Sequence, residues 1–305
     1  MNGTGVIDGQ GALDLTHMTR EDLAGITGIA NVGAVIVPES LAGPYATIPA
    51  EDIGATVYVP DGEKVRLHVG SLVVGGDGIG SPDETLVLVG SMVVTSPVTG
   101  DLPKRISVVG SIIAPRGSES ALGRVLGDGQ GSVTYYRYVE GQQVKVQTGQ
   151  VRLTGAALAN VTGEPSDILV ASGQVIITGE VGDVGFSQLF LSGQVIAPET
   201  SQSQLESRLD VTGQVVWYRS ADPRLFLDDV EFGPEFFRLL DHKVSLIVFG
   251  DLTLSPGVTS ELLMEKVADV VLFSDAVAPA AAVPALQVLA TSGIGQIRTA
   301  DGSHG

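Results

Sequence analysis

Short apolar segments, each interrupted by a small residue, alternate along this chain with polar stretches that contain glycine and proline. The clearest copies are residues 106–137 and residues 189–219. Each has an apolar run around a glycine, an Ala-Pro pair, a polar stretch with leucines at intervals, and two aromatic residues before an arginine. The chain is therefore built from an internal repeat, and a repeat dictates architecture more firmly than chemistry.

The small residue inside each apolar run recurs with a period near twenty. Gly70, Gly90 and Gly110 are twenty residues apart, as are Gly193 and Gly213. The full series is Gly33, Gly54, Gly70, Gly90, Gly110, Gly131, Gly149, Gly173, Gly193, Gly213, Gly233, Gly250, Ser274 and Gly295. Gly233 has the poorest surroundings for this pattern. Strands of this length, each followed by a polar return, predict a parallel β-solenoid with turns of about twenty residues.

A longer period lies over the first. We call the small residue inside each apolar run an anchor. A proline follows four of the anchors by five residues, at Pro38, Pro115, Pro198 and Pro279, and these prolines are 77, 83 and 81 residues apart. Four turns therefore make one module of about eighty residues. After each of these prolines the sequence favours one or two turns of helix, and residues 232–240 and 259–267 predict better helices.

The alternation within one strand predicts its two faces. Leu189, Leu191, Val195 and Ala197 share a face that we expect to be buried, while the opposite face is mixed. Glycine at the same phase of each turn predicts a column where the backbone bends or a side chain would not fit. Glutamine after the glycine at positions 150, 174, 194 and 214 predicts a ladder of side-chain amides, with serine at 71, 91, 111 and 132. A ligand-binding stripe is the alternative use of this ladder.

The ends of the repeat set the predicted domain limits. Residues 1–30 read as a loose N-terminal arm and a capping segment, in which Thr19 is a candidate N-cap for a short helix. Residues 31–297 form a single β-solenoid domain, and residues 298–305 form a polar tail.

Composition narrows the classes of function. The formal charge is −18, from 35 acidic and 17 basic residues, so the average surface repels nucleic-acid phosphates and anionic lipids. The chain contains no cysteine, which excludes disulfides, thiolate metal sites and a cysteine nucleophile. We therefore expect neither nucleic-acid binding nor a cofactor.

The apolar run of residues 276–290 is too short to span a membrane and contains two prolines, so no membrane insertion is expected. The first residues lack the basic start and apolar run of a secretory signal. We therefore expect an acidic, cytoplasmic protein.

Candidate chemistry is sparse. The densest acidic patch, Asp228, Asp229, Glu231 and Glu235, suggests either a carboxylate pair of the kind that hydrolyses glycosides or the N-terminus of a helix. Residues 75–80 partly match a calcium-binding β-roll repeat, and residues 127–132 lack the lysine of a phosphate-binding loop. The four histidines are scattered. No residue is therefore assigned a catalytic or metal-binding role.

Four aromatic residues fall at equivalent positions of two modules. They are Tyr135, Tyr136, Trp217 and Tyr218. Their spacing suggests a recognition stripe for a peptide or a glycan, and packing in the core or at an edge is the alternative.

With its glycine-centred turns, the chain resembles β-solenoids as a class, and the bactofilin-type polymer-forming scaffolds more loosely. Leucine-rich repeats have a similar period, but their leucine and asparagine signature is absent. No functional residue follows from the resemblance. The sequence predicts a non-enzymatic structural or scaffold protein that assembles through solenoid ends or faces, with itself or another protein as partner. A monomeric recognition module and, third, a carbohydrate-active β-helix enzyme are the alternatives.

Overall fold

A computed structural model describes residues 5–127, 131–293 and 295–300 of the chain. It is mainly β, with 48% of residues in strands and 17% in helices, as the sequence predicts. The chain divides into two compact units, Met1–Val146 and Gln147–Gly305.

The first unit begins with two three-stranded sheets and continues with one four-stranded sheet. The three-stranded sheets have the orders β1-β3-β5 and β2-β4-β6 and are called the N-terminal sheet pair; the third sheet has the order β7-β8-β9-β10. The strands are β1 Gly5–Gln10, β2 Leu13–Asp14, β3 Ile26–Val32, β4 Val35–Pro38, β5 Ala50–Ile53, β6 Thr56–Val59, β7 Lys64–Val74, β8 Glu84–Val94, β9 Arg105–Pro115 and β10 Ser132–Tyr136. The helices are α1 Arg20–Ala24, α2 Ala42–Tyr45 and α3 Glu119–Gly123, with a 3-10 turn at Glu39–Leu41.

The second unit contains one four-stranded sheet, whose first strand begins three residues before the unit boundary, followed by a pair of four-stranded sheets. The first has the order β11-β12-β13-β14; the orders β15-β17-β19-β21 and β16-β18-β20-β22 define the C-terminal sheet pair. The strands are β11 Val144–Thr154, β12 Ile168–Thr178, β13 Gln188–Pro198, β14 Leu209–Tyr218, β15 Pro223–Phe226, β16 Val230–Phe232, β17 Val244–Val248, β18 Leu252–Leu254, β19 Val267–Leu272, β20 Ala276–Ala278, β21 Ala290–Gly293 and β22 Ile297–Thr299. The helices are α4 Gln202–Glu206, α5 Pro234–Arg238, α6 Ser260–Lys266 and α7 Val283–Leu289, with 3-10 turns at Gly155–Ala159 and Glu199–Ser201.

The strands pair in parallel, and each partner lies about one repeat along the chain. Gly70 pairs with Gly90 and Gly90 with Gly110, and Gly193 pairs with both Gly173 and Gly213. The period in the sequence is therefore the pairing register of the sheets. Within each unit the pairing is interrupted, because β6 and β7 belong to different sheets, as do β14 and β15.

Apart from Gly233, the anchor residues lie inside a long strand, between two short strands or, for Gly131, directly before β10, and we call these positions corners. In the four-stranded sheets of long strands, the strand runs through the corner, and Gly193 adopts a φ of 127° there. A Cβ at Gly193 would overlap the carbonyl oxygen of Gly173, so the predicted column has two physical causes, a left-handed backbone and a close approach of consecutive turns. In the two sheet pairs, the corner instead separates two short strands, as Gly33 does between β3 and β4.

One predicted anchor is wrong. Gly233 precedes α5 as its N-cap and is not a corner residue. The pairing of Phe226 with Val248 and of Val230 with Leu252 aligns Asp228 with Gly250. Asp228 can occupy this corner because the strand stops before it, so the position does not need the left-handed conformation that favours glycine.

The repeated prolines end strands, as predicted. Pro38, Pro115 and Pro198 are the last residues of β4, β9 and β13, and Pro279 follows β20. Each precedes a helical segment in the chain. The predicted N-cap Thr19 is confirmed, since it forms a capping box with Asp22. Helix α6 is capped by Thr259, whose side chain accepts a hydrogen bond from the backbone of Leu262.

Alternating residues on each long strand pack into two different cores. Leu189, Leu191, Val195 and Ala197 belong to one cluster between the strands and the returning chain, as expected. On the opposite face, Ile196 joins a second cluster with Ile247 and Val271 of the C-terminal sheet pair. Both faces are thus covered in places, which explains their nearly continuous apolar sequence.

The two ends of the described chain differ from the expectation for loose segments. Residues Gly5–Gln10 form β1, which pairs in parallel with β3. Arg298 and Thr299 belong to β22, which pairs with β20, whereas residues 301–305 of the predicted tail lie outside the described residues.

Candidate functional site

Two of the four aromatic residues predicted to form a recognition stripe lie in the core. Tyr136 and Tyr218 are both 0% exposed. The Tyr136 hydroxyl donates to the carbonyl of Val94 at 2.8 Å, and that of Tyr218 donates to the carbonyl of Ile177 at 3.0 Å. Burial raises the pKa of Tyr218 to about 12. Both side chains are thus buried, with their hydroxyls bonded inside the core, and a role of these two residues in recognition stays a prediction.

The other two aromatic residues are partly exposed at the last strands of the two sheets of long strands. Tyr135 packs against the core of the β7–β10 sheet, and Trp217 packs against that of the β11–β14 sheet. Each occupies the position of an alanine in the preceding strand, Ala114 and Ala197. They cover the end of a core, and their role in recognition remains a prediction.

Three carboxylates of the acidic patch form hydrogen bonds or an ion pair with neighbouring residues. Asp229 accepts a hydrogen bond from the backbone of Asp251 at 2.8 Å, Glu231 accepts one from Ser255 at 2.6 Å, and Glu235 pairs with Arg238 at 3.2 Å. Asp228 lies at the corner before β16. Within residues 5–127, 131–293 and 295–300, no group of three or more histidine or acidic side chains is arranged to hold a metal ion. Residues 128–130 of the glycine-rich run 127–132 lie outside the described residues.

The predicted amide ladder is present in the β11–β14 sheet. The amide nitrogen of Gln150 donates to the side-chain oxygen of Gln174 at 2.7 Å, Gln174 donates to Gln194 at 2.8 Å, and Gln194 donates to Gln214 at 3.3 Å. In the other long-stranded sheet, the hydroxyls of Ser71 and Ser91 lie 3.3 Å apart. We call Gln150, Gln174, Gln194 and Gln214 the amide ladder.

The amide ladder has a direction. Every bond runs from the earlier strand to the later one, so the first member retains an acceptor and the last retains a donor. Among the described residues, the side-chain amide nitrogen of Gln214 has no acceptor and the oxygen of Gln150 has no donor. Gln150 and Gln214 are both exposed. The two outer strands of this sheet therefore carry complementary polar groups.

Strand β14 is an outer strand with a partly open apolar side. In the described chain it pairs only with β13. Leu209, Val211, Val215 and Trp217 pack against the same core as their buried counterparts in β13, but they are only partly buried. The middle of β14, Thr212 to Gln214, is exposed. An outer strand with free backbone groups and apolar neighbours is a template for another strand.

The end of β14 is held by a buried carboxylate. Asp269 of β19 is 0% exposed, accepts a hydrogen bond from the hydroxyl of Ser245, and accepts the backbone N–H of Arg219 at 3.2 and 3.3 Å. Burial raises the pKa of Asp269, although these two donors and the charge of Arg219 oppose the rise. The contact fixes the exit of β14 against the C-terminal sheet pair.

Sequence reasoning missed the contact of Asp269 with the end of β14 and the direction of the amide ladder. Asp269 was detectable as the single charged residue within the apolar strand 267–272. The direction of the ladder was not detectable, since both senses of the amide bonds have the same sequence.

Comparisons of the chain with protein-family models, with curated proteins and with solved structures found no match. Across the described residues, each helix is too short or too polar to cross a membrane.

Proposed function

We propose that the chain is a non-enzymatic scaffold protein that assembles with copies of itself through the outer strand β14. In this proposal the chain is a parallel β-solenoid with turns of about twenty residues, grouped in modules of about eighty residues. The β11 strand of one copy adds to the β14 strand of the next, so that contacts within a sheet continue between copies.

The parallel pairing of strands one repeat apart supports the solenoid architecture. The pairing is in register over whole strands, as in Gly173, Gly193 and Gly213. The glycine corners stack on one another at the same pitch. The β11–β14 sheet has two chemically different outer strands, which is the geometry needed for head-to-tail assembly.

The unpaired donor of Gln214 is the observation that carries the proposal of self-assembly. The donor nitrogen of Gln214 and the free acceptor oxygen of Gln150 are complementary, and they occupy the same position along their strands. The partly buried Val211, Val215 and Trp217 add apolar surface that a second copy would cover. A large negative charge opposes close association, so we expect assembly to strengthen with salt.

The test is the mass of the protein by light scattering over a concentration series, with negative-stain microscopy of the same samples. The chain is expected to form oligomers or filaments whose mass rises with concentration. Gln214→Glu removes the amide donor and leaves only acceptor oxygens opposite the acceptor of Gln150, so it should weaken assembly by at least about tenfold in concentration. Gln287→Glu, on the exposed surface of α7, makes the same change of charge away from the edge; it is the matched control and should leave assembly unchanged.

A monomer at every concentration would refute the self-assembly proposal. It would favour a monomeric recognition module, for which partly exposed Trp217 is the supporting observation. The cytoplasmic location remains a prediction, which fractionation of cells that express the tagged chain would test.

A further inference from the structure

A groove of about 630 Å³ lies beside the first turn of the C-terminal sheet pair. Strand β15 and helix α5 form one side, and residues from β11 and β12 form the other. Its lining residues are Arg152, Thr178, Pro223, Arg224, Leu225, Phe226, Phe236, Leu239 and Leu240. All of them belong to the second unit.

One wall of the groove is apolar because it is the uncovered end of a core. Phe226, Phe236 and Leu240 pack against the core of the C-terminal sheet pair but are only partly buried. The ring centroids of Phe226 and Phe236 lie 6.3 Å apart in an edge-to-face arrangement. Leu239 is 81% exposed at the rim. An apolar side chain entering here would gain contact with the aromatic rings and remove Leu239 from water.

The backbone of β15 offers free hydrogen-bonding groups to the groove. β15 pairs in parallel with β17, and the carbonyl of Phe226 accepts the N–H of Phe249 on that side. Because backbone groups alternate along a strand, the N–H and the carbonyl of Leu225 lie on the side away from β17. In the described chain β15 has no strand on that side. An extended peptide can therefore add there as a further strand.

The opposite wall carries a cation, Arg152. Arg152 is exposed and follows Gln150 by two residues, as Ile176 follows Gln174 in the next strand. It therefore begins the column that continues with Ile176 and Ile196, and it makes no ion pair among the described residues. Arg224 also lines the groove, where its guanidinium bonds Asp222 at 3.0 Å. Because Asp222 compensates Arg224, Arg152 provides the positive charge of the groove, in a chain whose net charge is −18.

The two faces of β15 thus meet different surroundings. Arg224 and Phe226 point to the side of α5, whereas Leu225 packs against the cluster that contains Ile176. A strand added beside β15 would alternate in the same way. Its residues would point in turn towards the apolar wall of Phe236 and Leu239 and towards Arg152.

We propose that this groove binds an extended peptide segment in which apolar and acidic residues alternate. The peptide adds to the edge of β15, its apolar side chains contact Phe226, Phe236 and Leu239, and its carboxylates pair with Arg152. Because β15 has four residues and begins with proline, the site accommodates a short segment and does not extend into a long sheet. The proposal is independent of self-assembly through β14.

The experiment measures fluorescence anisotropy of a labelled hexapeptide of alternating leucine and glutamate, titrated with the full chain at pH 7. Saturable binding is expected, and a hexapeptide of alternating leucine and lysine should bind at least about tenfold more weakly. Arg152→Glu and Leu239→Asp should each weaken binding of the acidic peptide by about tenfold or more. Both positions are exposed, so the substitutions should leave the circular dichroism spectrum unchanged.

Matched controls use the same substitutions at exposed positions away from the groove. Arg116→Glu and Val161→Asp should leave peptide binding unchanged. The proposal is overturned if the acidic peptide shows no saturable binding up to millimolar protein, or if the lysine peptide binds as tightly. It is also overturned if Leu239→Asp lowers the mass of the assembled chain without changing peptide binding, because the groove would then contact a second copy. A monomeric chain that binds the acidic peptide would leave this proposal intact and refute only self-assembly.

Discussion

At the scale of single residues, the corner glycines of the long strands have the least freedom to change. Gly193 combines a φ of 127° with a close approach to the carbonyl of Gly173. Gly179 also has a positive φ, 76°, but a Cβ there would meet nothing within 4 Å. Substitutions at Gly193 and Gly179 therefore separate two effects on the free energy of unfolding, that of the backbone conformation and that of the close approach.

Gly193→Ala should lower the free energy of unfolding by roughly 2–5 kcal/mol, because a left-handed backbone is combined with overpacking. Gly179→Ala should cost only the backbone share, about 1–2 kcal/mol. Urea unfolding followed by circular dichroism measures both. Equal losses for the two variants would show that the stacking of Gly193 on Gly173 adds no constraint.

The sequence reveals the corner glycines because their spacing repeats, but it does not reveal which aromatic residues are buried. Tyr136 and Tyr218 follow Tyr135 and Trp217 directly, so the strand alternation must place each pair on opposite faces. Which face is covered depends on packing between sheets, as in the cluster of Tyr218 with Ile247 and Val271. That contact joins residues far apart in the chain and leaves no local pattern.

At the scale of elements, Asp269 links the end of β14 to β17 and β19. Because burial raises its pKa above the ordinary 3.8, the folded state binds the proton more tightly than the unfolded state does. The contribution of Asp269 to stability is therefore greatest at low pH. It declines as the pH rises through 3.8 to the raised pKa.

Asp269→Asn should remove this decline, because the amide does not ionise and its oxygen can still accept the N–H of Arg219. Relative to the unsubstituted chain, the variant should gain stability between pH 4 and pH 7. Urea midpoints for both proteins at the two pH values measure the difference, in which the other carboxylates cancel. A constant difference between the two proteins would show that Asp269 titrates as an ordinary carboxyl.

The elements themselves follow largely from the sequence. The strands around Gly70 and Gly90, the prolines that end strands, and the helices capped by Thr19 and Thr259 all have local signals. The interruptions between sheets do not, because the polar connection of residues 60–63 between β6 and β7 resembles the connections within a sheet. Gly233 shows the related failure, since the corner it was expected to mark is occupied by Asp228.

At the scale of the whole molecule, each unit has cores of its own. The first contains clusters around Ile36, Leu41 and Ile112, and the second contains clusters around Phe237, Val195 and Ile247. Val139, Glu140 and Gly141 form an exposed turn before β11. Cleavage in this turn removes no strand from any sheet.

A protease recognition sequence inserted between Glu140 and Gly141 should therefore be cut in the native protein, and both fragments should keep their strands. Circular dichroism before and after cleavage should give the same β signal, and hydrogen exchange should show protected amides in both fragments. Loss of protection in either fragment would mean that its cores depend on an uncut chain.

Because its parallel strands are evenly spaced, the β11–β14 sheet can also serve as a distance reference for spectroscopy. Successive positions of one column, such as Gln150, Gln174, Gln194 and Gln214, are separated by steps of about 4.8 Å. Spectroscopic labels at exposed positions of such a column would sample one, two or three of these steps while the chemical surroundings stay nearly the same. A sheet that is regular enough to repeat its sequence is thus regular enough to calibrate a distance measurement.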